Sequence, residues 1–74
     1  MGNVELDGRY QLLRASDVVR DGMWLEMYEG GVARELVVTA FYSDIDGSLK
    51  LHVEQLEVPF EIVEAFIQKA RQLL

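Results

Sequence analysis

Glu35-Leu36-Val37-Val38-Thr39-Ala40-Phe41-Tyr42 is the stretch whose reading decides the fold. β-Branched and aromatic residues dominate it, and these side chains fit a pleated surface. Successive side chains of a strand point to opposite faces. One face therefore carries Leu36, Val38, Ala40 and Tyr42, the other Val37, Thr39 and Phe41. Both are apolar, which predicts a central strand that needs cover on each side.

Outward from this strand, turn signals divide the chain. Asp7-Gly8, Asp21-Gly22 and Asp46-Gly47 are Asp-Gly pairs, and Gly30-Gly31 is a fourth signal. Glycine accepts the positive φ of tight hairpins, and Asp bonds its own backbone. The segments between them have strand length, the mark of an antiparallel meander. Arg9 to Arg14 reads as the first strand, and a bend at Ala15-Ser16-Asp17 lets it run on to Arg20. Val4-Glu5-Leu6 adds a possible fifth, edge strand. Met23 to Glu29 is the second strand, and the opening stretch, extended back to Val32, is the third. Ser48 to Gln55 is the fourth, with Leu49, Leu51 and Val53 opposed to Lys50, His52 and Glu54.

Pro59 then starts a helix, its fixed φ suiting the first helical position after Val58. Ile62, Val63, Phe66, Ile67, Ala70, Leu73 and Leu74 form one apolar stripe at three- and four-residue steps. Glu61 and Glu64 near its start, with Lys69 and Arg71 near its end, suit the helix dipole. The expected architecture is one α+β domain over residues 1–74: an antiparallel meander of four or five strands with a C-terminal amphipathic helix on one face.

Register decides which face meets the helix. A two-residue turn at Gly30-Gly31 sets Leu25 opposite Leu36 and Trp24 opposite Val37. A two-residue loop at Asp46-Gly47 pairs Tyr42 with Leu51, and a three-residue loop pairs Phe41 with Leu51. In one register the face away from the helix holds Trp24, Tyr28, Val37, Phe41 and His52. In the other it holds Met23, Leu25, Met27, Leu36, Val38, Ala40, Tyr42 and His52. Either face is too apolar for water. Covering ~500 Å² of it would contribute about 12 kcal/mol before association costs. A second copy of the chain in a homodimer, a folded-back N-terminal segment, or another partner or ligand could supply the cover.

Composition narrows the function. The chain has 74 residues, half of them hydrophobic, so its core is small and oligomerisation is a common remedy. Thirteen acidic residues against seven basic give a net charge of −6, which opposes nucleic-acid backbones and anionic membranes and suits a basic protein partner. No cysteine is present, which excludes disulfides, thiolate metal sites and cysteine nucleophiles. Met1 to Asp7 lacks the pattern of a signal peptide, Leu6 stands where a myristoylation signal needs Ser or Thr, and no apolar run reaches membrane-spanning length. A cytoplasmic protein is expected.

Candidate chemistry is sparse. His52, the sole histidine, sits mid-strand without a marked nucleophile, although Thr39, Ser43 and Asp44 could approach it. Asp44-Ile45-Asp46-Gly47 opens like a calcium loop, but Gln55 stands where the closing Glu belongs. No catalytic, cofactor or metal residue is assigned. Trp24, Tyr28, Val37, Phe41, Tyr42 and His52 are the interface or ligand candidates. The plan, with Asp46-Gly47-Ser48-Leu49 leading a strand and Val58-Pro59-Phe60-Glu61 leading a terminal helix, resembles small uncharacterised bacterial proteins carried on mobile gene cassettes. That resemblance carries no activity. Two functions are expected: a non-enzymatic interaction module dimerised through the open sheet face, or a small-molecule binder or enzyme lined by Trp24, Phe41, Tyr42 and His52.

Overall fold

The computed structural model describes residues 8–30 and 34–74. Strands β1 (Tyr10–Asp17), β2 (Gly22–Glu29), β3 (Glu35–Ser43) and β4 (Leu49–Val53) form an antiparallel sheet in the order β1-β2-β3-β4. Helix α1 (Phe60–Leu73) packs against one face. The architecture is the expected α+β meander with four strands among the described residues; Val4–Leu6, the suggested fifth, lies outside them, as does Val32.

β3 is the central strand its composition demands, with every residue from Val37 to Phe41 buried. Its register follows side-chain burial rather than the shortest turns. Trp24 pairs with Phe41, Leu25 with Ala40 and Met27 with Val38, so Leu25 does not face Leu36. Glu29 pairs with Glu35, so the two strands are separated by more than a two-residue turn. Up to Met27 the two registers differ by four residues and keep each side chain on its face; the observed one sets Met27 against the buried Val38, where the two-residue turn would set it against Arg34. Between Met27 and Tyr28 the register shifts, leaving Val37 as an extra residue in β3. This bulge lets Val37 and Val38 both enter the core under the helix.

Four residues separate β1 from β2, and five separate β3 from β4. At Ser43–Ser48 neither the two- nor the three-residue loop forms: Tyr42 faces Leu49 and Ala40 faces Leu51. The Asp46 carboxylate accepts from Ser48 N at 3.0 Å, the Ser43 hydroxyl accepts from Ile45 N at 3.2 Å, and Gly47 takes φ 73°. Asp44-Ile45-Asp46-Gly47 is therefore a hydrogen-bonded turn. Between β1 and β2, Val18 and Val19 are exposed at a loop tip instead of continuing a kinked strand. Asp17 accepts from Arg20 N at 3.0 Å, and Asp21 closes the loop at φ 53°, a region Asp tolerates. This local bonding outcompetes the strand preference of Val18-Val19.

The helix buries Ile62, Ala65, Phe66 and Ala70. Phe66 meets a core of Tyr10, Leu25, Met27, Val37, Val38 and Ala40. Pro59 is the N-cap itself, with ψ 136°, and no side chain caps the helix; Val58 is one residue too early for that place. Pro59 O accepts from Ile62 N and Val63 N instead. With no side-chain cap, packing has to hold the helix.

Two substitutions test this packing. A Cβ on Gly22 would overlap the Tyr42 carbonyl oxygen and the Phe41 ring. Gly22→Ala is expected to cost about 3 kcal/mol through overpacking. Phe66→Ala, which empties the centre of the core, is expected to cost about 4 kcal/mol. Urea denaturation midpoints at unchanged slope measure both.

Candidate functional site

The face opposite the helix is built in rows across the sheet. Trp24, Phe41 and Lys50 make one row, Glu26, Thr39 and His52 the next. Tyr28 and Leu36 begin a third, and Glu54 stands beside it, its N–H bonded to Val37 O at 2.8 Å. Together with Arg20, these rows enclose an open groove of about 500 Å³ lined by Trp24, Glu26, Leu36, Thr39, Phe41, Lys50, His52 and Glu54. Its floor is Thr39, only 5% exposed, next to Phe41 at 7%.

The first row is locked from several sides. The Trp24 and Phe41 rings lie 4.7 Å apart at 47°. The Arg20 guanidinium stands over both, 4.5 Å from the Phe41 centroid and 5.3 Å from Trp24. Such contacts combine ring–ring and cation–π attraction. Trp24 Nε1 donates to Asp17 Oδ2 at 2.9 Å, while the other carboxylate oxygen holds the Arg20 backbone. The Trp24 bond, then the backbone bond from Arg20, lower the Asp17 pKa below its usual value of 3.8.

At the opposite end, Tyr28 OH donates to Glu26 Oε1 at 3.1 Å, which raises the Tyr28 pKa above 10.0. Arg34 lies 5.4 Å from the Tyr28 ring centroid and donates to Gln11 Oε1 at 3.2 Å. His52 Nε2 is 3.2 Å from Glu54 Oε2 at the β4 rim. The groove thus alternates aromatic surface with both signs of charge.

Trp24, Tyr28, Phe41 and His52 come together on this face as one of the two registers expects. Val37 does not, because the bulge turns it into the core. Tyr42 pairs with Met23 and Leu49 on the helix side, so a pocket drawn from Trp24, Phe41, Tyr42 and His52 does not form. Thr39, named in the sequence as able to approach His52, stands opposite it across the ladder; Arg20, Glu26 and Lys50 are not among the site residues the sequence singles out. For Arg20 a signal existed: Asp17 three residues earlier is the spacing of a side-chain-capped turn, which lifts Arg20 out of the strand.

Of the residues that could approach His52, Thr39 faces it from β3, and the Ser43 hydroxyl accepts from Ile45 N within the hairpin loop. Among the described residues no three His, Cys, Asp or Glu converge as metal ligands. Among them, too, no helix is long and apolar enough to cross a membrane. No family model, curated protein or solved structure matches the chain.

The depressed Asp17 pKa has a consequence for stability. A group whose pKa falls on folding stabilises the fold above its unfolded value and loses that contribution as pH drops through the folded value. Stability is therefore expected to decline below about pH 3.8. Asp17→Asn should flatten the decline between that value and the lower folded one, measured by urea midpoints across pH.

Proposed function

We propose that this protein is a small, non-enzymatic, cytoplasmic interaction module that works through the sheet face opposite its helix, with a second copy of the chain as its first occupant. One observation carries the reading: the groove on that face sets Thr39, Trp24, Phe41 and Leu36 within a rim of Arg20, Lys50, Glu26 and Glu54. Protein interfaces share that anatomy, an apolar centre enriched in aromatic residues and Arg within a polar rim. Leu13, 52% exposed on the same face of β1, extends the apolar surface beyond the groove. The acidic net charge further suits a partner with a basic surface. Kinship with bacterial proteins of mobile gene cassettes is part of the same proposal and contributes no activity to it.

A ligand-binding reading rests on the groove's volume, which lies in the range of small-molecule sites. The groove is open rather than enclosing, and His52 lies against the Glu54 carboxylate at its rim, which favours a protein surface.

Leu13→Lys tests the proposal, because Leu13 pairs with Glu26 and a lysine there is compatible with the isolated fold. Light scattering is expected to give a mass above one chain for the wild type, and half of that mass for the variant. An unchanged mass would remove the outer face from the assembly.

A further inference from the structure

β4 is an edge strand, and it is exposed along its whole length. On its helix side Leu49, Leu51 and Val53 are 40%, 42% and 46% exposed, since the helix lies over β2 and β3. The seam between them is lined by Leu49, Leu51, Ala40, Ile67, Ala70 and Arg71.

The backbone of β4 is directed. Ser43 N donates to Ser48 O, and Glu54 N donates to Val37 O. In an antiparallel ladder bonded and non-bonded positions alternate, so Ser48, Lys50, His52 and Glu54 turn their backbone groups toward β3. Leu49, Leu51 and Val53 turn theirs away from the sheet. Among the described residues no strand pairs with that edge. The opposite edge, β1, carries Arg14 and Ser16 on its helix side, and an inward-facing charge is a common guard against pairing. β4 has no such guard on its helix side.

We infer that β4 is a self-pairing edge: two copies join β4 to β4 antiparallel about a two-fold axis at His52, making one continuous eight-stranded sheet. The side chains select this partner and this register. With His52 opposite His52 of the second copy, Lys50 falls opposite Glu54 at both ends, giving two cross-strand pairs of opposite charge. Leu51 falls opposite Val53, and these are the residues with outward backbone groups, so both pairs form ladder bonds. Their side chains meet as an apolar quartet at the helix seam. Centring the axis on Leu51 instead sets Lys50 opposite His52 and leaves Glu54 opposite Ser48. The charge pattern therefore fits a second copy in one register.

This pairing joins sheet edges whereas the outer-face contact stacks sheet faces; Lys50, His52 and Glu54 border both, and two such two-fold contacts with perpendicular, intersecting axes close a dihedral tetramer. A single-cysteine variant separates them. The chain has no cysteine, so His52→Cys introduces the sole thiol. Across the edge, non-bonded neighbours stand about 4.5 Å apart at Cα, within disulfide reach, whereas packed sheets stand about 10 Å apart. Mild oxidation is expected to convert most of the variant to a covalent dimer. Leu51→Glu should abolish that cross-link and halve the assembly mass, and Leu13→Lys should leave the cross-link intact. Lys50→Glu should weaken the dimer roughly tenfold, with recovery on adding Glu54→Lys. Absence of the cross-link, or its loss in Leu13→Lys but not in Leu51→Glu, would overturn the inference. So would a monomer whose Leu51 and Val53 amides are protected from exchange, because the edge would then be covered within one chain.

Discussion

Burial of β3 on both faces is the constraint that the rest of the molecule obeys. A strand apolar above and below has to be central, and in a meander it can be central only with β2 on one side and β4 on the other. Its helix side is met by Phe66 and Ile62. Its other side is met by Trp24 and Arg20. Backbone pairing alone would tolerate several registers. Matching Leu25 with Ala40, Met27 with Val38 and Trp24 with Phe41 chooses one.

That choice creates the groove. Once Phe41 is covered by Trp24 and the Arg20 guanidinium, the small Thr39 beside it leaves a depression between aromatic and charged rows. The loop after β1 is thus part of the site. Asp17 ties the Trp24 indole and the Arg20 backbone with its two oxygens, so one carboxylate fixes both members of the stack. Asp44 N bonds Asp21 O at 2.8 Å, which links this loop to the one between β3 and β4.

The fold also shares its cover unequally. One helix of fourteen residues shelters β2 and β3, and β4 is left with half-covered leucines and an edge that no strand among the described residues pairs. A small domain with a marginal core gains burial by association. The outer face and the β4 edge offer two surfaces for it, one aromatic and mixed in charge, the other carrying apolar side chains on the helix side, with Lys50 and Glu54 where the two meet.

Element order, strand number, the helix and the central place of β3 were legible in the sequence. Each follows from local pattern: turn residues, alternation and a 3.6-residue stripe. Sequence also placed Trp24, Tyr28, Phe41 and His52 on one face in one of its two registers. Only tertiary structure decided the register itself, because turn length yields to side-chain burial summed over whole strands. It likewise decided that Val37 leaves the outer face through a bulge, that Tyr42 stands on the helix side, and that Arg20 folds over the aromatic pair. Those outcomes depend on contacts between residues far apart in the chain, which no local pattern encodes.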